Sequence, residues 1–179
     1  TVCGADWETA SGTLRADADA VDAIVRSGAA TRDDRIFVRE HGVTTHLPLL
    51  REAFPDAAVL PVVVRTSASD MQLLVLRKTL TPFLRDGGLV ILSMDLSHYK
   101  SPADAAHDDA RTLPVLARMD ATSLRGLDID TPRGAALFLA LVRDLGSLRG
   151  VVLDHSDSGA IRGLPDAPCT SYATMLFSR

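Results

Sequence analysis

The sequence predicts an α/β fold in which helices cover a sheet. Helical and strand patterns alternate along most of the 179 residues, which is the order expected of a layered α/β domain. Residues 89–94 are apolar on both faces, as in a strand that helices cover on both sides. Hydrophobic residues make up 46% of the chain and charged residues 23%, as in ordinary globular proteins. We therefore expect one α/β domain over residues 1–179.

The first half of the chain predicts two helices and two strands in alternation. In order they are a helix over 14–27, a short strand over 35–39, a helix over 42–53 and a strand over 57–65. Apolar residues at helical spacing indicate the first helix, and Gly28 follows it as a stop signal. A run of β-branched residues indicates the last strand, although Pro61 moves it to a sheet edge or a bulge.

The second half predicts three helices and three strands. In order they are a helix from Ser67 or Ser69 to Arg85, a strand over 89–94, helices over 102–118 and 132–145, and strands over 150–155 and 171–178. An acidic first turn supports the helix over 102–118, because acidic side chains suit the positive end of a helix dipole. Thr131 followed by Pro132 marks the start of the last helix.

Charge and composition argue against nucleic-acid and membrane partners. The formal net charge is −4 and no cluster of Lys and Arg is present, so a nucleic-acid partner is not expected. No apolar run approaches the ~20 residues that span a bilayer. Cys3 and Cys169 form no C-x-x-C pair, and free thiols are typical of a reducing compartment. We therefore expect a cytoplasmic protein, with no oligomeric state fixed by the sequence.

The segment SMDLSHY, residues 93–99, is the first candidate site. It follows the predicted strand over 89–94, and ligands of open α/β sheets bind beyond the carboxyl ends of strands. His98 can serve as a general base or acid, and Asp95, three positions earlier, can orient its ring. The alternative is that Asp95 and Ser97 cap a turn and His98 is a half-buried loop residue. Spacing alone favours this alternative, because D-x-x-H is not a specific motif.

The segment EHGVTTHLP, residues 40–48, is the second candidate site. Glu40 and His41 stand at the end of the predicted strand over 35–39 and would face a crevice at the carboxyl end of the sheet. An ordinary loop explains them equally well. His46 lies five residues after His41, whereas a zinc-binding pair needs two His one helical turn apart, so no self-contained metal site is expected here.

Four other polar residues are explained by local structure more simply than by a role in a functional site. His107 lies in an acidic first turn and is expected to be solvated, and His155 precedes a turn-like S-D-S-G segment. Capping of the following helix explains Asp128 and Asp130, with a metal-ligand role as the alternative. The sequence contains no G-x-G-x-x-G, G-x-x-x-x-G-K-[ST] or G-x-S-x-G pattern, so nucleotide binding through those loops and α/β-hydrolase chemistry lack support.

The order of these segments resembles the Memo family across nearly the whole chain. EHGVTTHLPLLREAFPDAAVLPVVV is similar to the family's E-H-S-x-E-x-Q-L-P segment and the strand after it. SMDLSHYKSPADAAHDDARTL is similar to its S-S-D-[FM]-S-H-Y segment, which is the most specific of these motifs. HSDSGAIRG and TSYATMLFSR resemble its closing strands. The family includes the AmmeMemoRadiSam system protein B of bacteria and archaea.

The resemblance implies a fold like that of class III, LigB-type extradiol dioxygenases. In that group two His and one acidic residue hold non-haem Fe(II), and a further His acts as a base on a catechol. By position, His98 would be the base-like residue beside Asp95, and Glu40 and His41 would line the same pocket. The resemblance thus implies a non-haem Fe(II) or Cu centre and a redox or dioxygenase-type reaction.

Three departures from the family pattern limit this expectation. The family's H-A-G-[YF] and G-P-x-H turns, which supply two metal-binding His, are not in the 179 residues, which match its C-terminal two-thirds. The second Glu of E-H-S-x-E falls on Thr44. The Cys of C-G-R-x-P has no counterpart in residues 128–134, although Asp128 or Asp130 would complete a two-His-one-carboxylate site. The alternative function is a module that binds a small molecule or peptide without turnover.

Overall fold

The computed structural model describes residues 1–178, which divide into two compact units after Gly88. Helices and small sheets make up each unit, so the predicted α/β class is confirmed. Among residues 1–178, no helix has the length and apolar character that crossing a bilayer requires. The expectation of one domain over residues 1–179 stays a prediction.

The N-terminal unit, residues 1–88, combines a three-stranded sheet with four α-helices. Its elements are β1 (Trp7–Thr9), β2 (Gly12–Ala16), α1 (Ala18–Ser27), α2 (His41–Thr44), α3 (Leu47–Ala53), β3 (Ala58–Val59) and α4 (Asp70–Arg85). β1 pairs antiparallel with β2, and β2 pairs parallel with β3. α1 packs against α4, and α3 packs against β1 and β2. The strand predicted over 57–65 is found only in part, because only its residues Ala58–Val59 form a paired strand, β3.

Local sequence sets both ends of α1. The Asp17 carboxylate accepts a hydrogen bond from Ala20 N at 3.0 Å and caps the first turn. Gly28 ends the helix with a φ of 74°, a left-handed conformation that favours glycine, as predicted. Val21 and Ile24 are buried in the core of the unit. The helix starts later than predicted, because the first residues of its expected first turn belong to β2, where Leu14 pairs with β1 and Arg15 and Ala16 pair with β3.

Residues 35–39 form a helical turn, so the strand predicted there is wrong. Asp34–Arg39 is a 3₁₀-helix in which Phe37 is fully buried, whereas Ile36 and Val38 are exposed. Asp33 caps this helix, because its carboxylate accepts hydrogen bonds from both the backbone and the guanidinium of Arg35. The guanidinium also lowers the pKa of Asp33. This cap closes a local turn that the apolar run alone does not reveal.

The C-terminal unit, from residue 89 onward, consists of a two-stranded sheet with helices packed on it. Its elements are α5 (Pro102–Ala117), α6 (Pro132–Asp144), β4 (Arg149–Asp157), α7 (Ser158–Ile161) and β5 (Ser171–Ser178). β4 and β5 pair antiparallel, with a register shift between Val152 and Asp154. α5 packs against β4. The helices predicted over 102–118 and 132–145 and both closing strands are confirmed to within two residues.

The core of this unit lies between α5, α6 and one face of β5. Leu116 of α5 and Leu139 of α6 are buried there, and Met175 and Phe177 of β5 pack against them. Leu96 belongs to the same core, although it lies in the SMDLSHY segment. The core therefore anchors the segment that carries the first candidate site.

The segment over 89–94 is not the doubly covered strand that its sequence predicts. It pairs with no strand of the described residues, and its side chains alternate between the core and solvent. Val90 and Leu92 pack against the core, whereas Leu89 and Ile91 are 64% and 49% exposed. One face of this segment is thus covered by α5 and α6, and within residues 1–178 the other face is open.

Acid is expected to weaken the fold through Asp120. Its carboxylate caps the 3₁₀-helix Ala121–Leu124 by accepting hydrogen bonds from the hydroxyls and backbone N–H groups of Thr122 and Ser123, which lower its pKa to about 2. A lowered carboxyl pKa contributes stability above the unfolded value of roughly 4 and loses it as the pH falls towards about 2. Urea unfolding at a series of pH values measures this effect. Between about pH 4 and 2, the free energy of unfolding should fall less steeply for Asp120→Asn than for the wild type. Equal slopes would contradict this expectation.

Candidate functional site

Asp95 and His98 form a side-chain pair on the loop that precedes α5. His98 Nε2 lies 3.3 Å from Asp95 Oδ2, and the two side chains are 30% and 38% exposed. The structure thus brings these two candidate residues together, with enough exposure for a ligand to reach them. A carboxylate beside one ring nitrogen holds the ring orientation and stabilises the imidazolium form.

Backbone hydrogen bonds anchor this loop to the start of β5. Ser97 N donates to Ser171 Oγ at 3.0 Å, and Ser171 N donates to Ser97 O at 2.9 Å. Leu96 N also donates to Ser171 O at 3.1 Å. All three bonds are made with Ser171, so the backbone of the buried residues Leu96 and Ser97 is fixed to the start of β5.

Two tyrosines flank the pair. The Tyr99 ring centroid lies 6.1 Å from that of His98, and the Tyr99 side chain is 84% exposed. On β5, burial raises the pKa of Tyr172, and the nearby negative charge of Asp95 raises it further. The surroundings of His98 therefore combine a carboxylate with phenol rings.

Tyr99 has a strained backbone, because its φ is 51° in a region that bulky residues rarely adopt. The constraint comes from both sides: Ser97 is bonded to Ser171, and Lys100 pairs with Cys169 through an isolated β-bridge. A strained residue at an exposed position beside a titratable pair is a common feature of functional sites.

Replacing Tyr99 with asparagine is expected to raise the free energy of unfolding by about 0.5 to 1 kcal/mol, because Asn tolerates left-handed backbone better than a bulky residue does. Little burial is lost, since the ring is 84% exposed. The matched control is Met119→Asn, which relieves a similar φ of 57° but removes a buried side chain and should destabilise. Chemical denaturation checks both, and a destabilised Tyr99 variant would contradict the expectation.

The acidic residues before α6 lie beside the same loop. Asp130 N donates to Asp95 O at 3.3 Å, while Asp128 forms an ion pair with Lys100, whose Nζ is 2.9 Å from Asp128 Oδ2. Lys100 also bonds to Asp108, and these two carboxylates raise its pKa. Asp128 therefore has the Lys100 ammonium group as its partner. The sequence predicted helix capping or metal binding for Asp128, and neither prediction included this ion pair.

Glu40 and His41 lie in the N-terminal unit. The Glu40 carboxylate accepts a hydrogen bond from Gly42 N at 2.9 Å and so caps α2, which His41 begins. The His41 side chain is exposed. Capping gives Glu40 a structural role, and the pocket shared with His98 stays a prediction.

A buried network centred on Asp109 of α5 was not predicted from the sequence. The Asp109 side chain is 1% exposed, and it is bonded to Ser97 Oγ and to His155 Nε2. His155 lies within β4, as the strand predicted over 150–155 requires, but the strand continues to Asp157 and so includes the first two residues of the turn-like S-D-S-G segment. A signal for this network was present, because Ala105, Asp109 and Thr112 recur at helical spacing on the buried face of α5.

Comparison with known proteins agrees with the order of motifs. The family model described as Memo-like protein matches residues 1–176. A MEMO1 family protein of Pyrobaculum arsenaticum is 28% identical over 97% of this chain and 64% of its own length. A second, from Aquifex aeolicus, is 26% identical over 97% of this chain and 67% of its own length.

The chain thus spans about 64% of the length of the first of these curated relatives. No solved structure gives a significant match. Because the family model covers 176 residues of the 179 and the SMDLSHY and EHGVTTHLP segments lie within the match, the chain belongs to the Memo-like protein family.

Proposed function

We propose that this chain carries an acid–base site for a hydroxylated ligand, in which His98 exchanges a proton with the ligand and Asp95 orients the ring. The distance of 3.3 Å between His98 Nε2 and Asp95 Oδ2 carries this proposal. A proton held on Nε2 by the carboxylate leaves Nδ1 as the acceptor. General acid–base catalysis needs such a fixed tautomer within reach of the reacting hydroxyl.

The reaction we propose is a dioxygenase-type oxidation of a catechol-like ligand. The resemblance of Memo proteins to extradiol dioxygenases supports this class, with His98 as the residue that accepts the proton of a catechol hydroxyl. The exposed ring of Tyr99 supports an aromatic ligand, because it offers a flat apolar surface 6.1 Å from the imidazole.

Residues 1–178 do not fit the metal site that the resemblance implies. Within them no three His, Cys, Asp or Glu side chains are grouped closely enough to hold a metal ion. Asp128, one of the two candidate carboxylates, is ion-paired with Lys100. A non-haem Fe(II) or Cu centre would need other ligands, and the proposed role of His98 is confined to proton transfer.

The test compares the full-length gene product with its His98→Gln and His107→Gln variants. Catechol binding is measured by calorimetry, and ring opening by absorbance under air. We expect wild type and the His107 control, whose side chain is exposed on α5, to bind and convert catechol. The His98 variant should bind but convert far more slowly. A His98 variant that behaves like wild type would overturn the proposal.

A binding module without turnover is the second candidate function. The ion pair between Lys100 and Asp128 favours this function, because Lys100 occupies one of the two carboxylates that a metal site could use. In that case calorimetry with catechol, or with a peptide library in its place, gives saturable binding that His98→Gln loses, and no variant opens the catechol ring.

A further inference from the structure

Asp109 is a buried carboxylate with a partner on each oxygen. Its side chain is 1% exposed. Oδ1 accepts a hydrogen bond from Ser97 Oγ at 2.9 Å, and Oδ2 lies 2.8 Å from His155 Nε2. A buried carboxylate is stable only when such partners compensate for its lost hydration. The three residues therefore form one unit that joins the SMDLSHY segment, α5 and β4.

This arrangement is not that of a nucleophilic serine. In a catalytic triad the imidazole lies between the hydroxyl and the carboxylate, whereas here the carboxylate of Asp109 lies between Ser97 and His155. Ser97 is also fully buried, so no substrate reaches its hydroxyl. The hydrogen bonds of this unit instead fix the position of Ser97.

Ser97 is the point at which this unit meets the candidate site. It stands between Asp95 and His98 in the chain. Its backbone is bonded to Ser171 of β5, and its side-chain hydroxyl donates to Asp109 of α5. The loop is thus held to the sheet by main-chain bonds and to the helix by one hydroxyl. Because the hydroxyl bonds to a charged acceptor, that attachment is stronger than a neutral hydrogen bond.

We propose that Asp109 is a positioning residue for His98, acting through the Ser97 hydroxyl, and that His155 compensates its buried charge. The inference deepens the proposed acid–base function and rests on it for its consequence, since a proton acceptor is efficient only when its ring is held in place. The structural part of the inference does not depend on that function. It states that the backbone at His98 becomes mobile when the bond from Ser97 to Asp109 is lost.

The experiment measures the backbone amide order parameter of His98 by ¹⁵N relaxation in the wild type and in Ser97→Ala and Asp109→Ala. Thr112→Val is the matched control, because it removes a different buried hydroxyl, one that lies in α5 and donates within the helix to Asp108 O. We expect the order parameter of His98 to be about 0.85 in the wild type and in the control, and about 0.6 in Ser97→Ala and Asp109→Ala.

Thermal unfolding of the same variants separates positioning from a purely structural role. If Ser97→Ala lowers the melting temperature as Thr112→Val does and leaves His98 rigid, the inference is overturned. Ser97→Ala keeps the test decisive if Asp109→Ala fails to fold. The order parameter does not depend on turnover, so a rigid His98 removes this inference without affecting the proposed function. Conversely, if His98 becomes mobile in Ser97→Ala but the wild type does not bind catechol, the positioning role is supported and the proposed function is overturned.

Discussion

Replacing His98 with glutamine is expected to lower the turnover number for a catechol-like ligand by about 10² to 10⁴, which is the range for losing a general acid–base group. Glutamine keeps hydrogen-bonding atoms near Asp95 but cannot take up a proton at neutral pH. The Michaelis constant should change little, because the ring is proposed to act on the proton and not to hold the ligand.

Asp95→Asn separates orientation from proton transfer. The amide keeps the size of the side chain but offers a donor group to His98 Nε2, which favours the wrong tautomer. We therefore expect turnover to fall in this variant as well, although the imidazole itself is intact. Steady-state kinetics of the full-length protein check both variants. A large rise in the Michaelis constant with unchanged turnover would show that His98 binds the ligand and does no acid–base chemistry.

Truncating Leu139 to alanine is expected to lower the free energy of unfolding by about 2 to 5 kcal/mol, as for other buried Leu→Ala changes. Leu139 is fully buried in the core that α5, α6 and β5 share, so its removal leaves a cavity that tightly packed neighbours cannot fill. Leu96 lines the same core, so the loop that carries Asp95 and His98 should loosen with it.

Leu148→Ala is the matched control for this prediction. It makes the same chemical change at a side chain that is 86% exposed, and surface changes of this kind are usually within about 0.5 kcal/mol of neutral. Urea denaturation of the two variants measures the difference directly. A Leu139 variant as stable as the Leu148 variant would mean that α6 does not pack as the structure describes.

Helices were easier to predict from this sequence than strands. Ser69 and Thr131 each accept a hydrogen bond from the backbone N–H three residues later. Thr131 was predicted as a cap, and Ser69 was one of the two serines predicted for the other helix. Strand assignment depends on partners far along the chain. The runs at 35–39 and 89–94 have strand-like composition, but one is closed into a turn by Asp33 and the other finds no strand partner among the described residues.

The candidate site was predicted where its residues are neighbours in sequence. Asp95 and His98 are three positions apart, and their contact follows from local geometry. Asp109 and His155 are 46 positions apart, and only the packing of α5 on β4 brings them together. The helical spacing of Asp109 was a signal of its burial that the sequence prediction did not use, and no local pattern identifies its partners.

The open face of residues 89–94 has a consequence for handling the protein. A short run of Leu, Val and Ile with strand-like composition and a solvent-facing side is the type of segment that templates intermolecular β-pairing. Arg85 and Asp86 precede this run and Asp95 follows it, at the positions where charged gatekeeper residues limit such pairing. We therefore expect the solubility of the 179-residue chain at high concentration to depend on those three charges. Asp95 would then serve both solubility and the orientation of His98 that we propose.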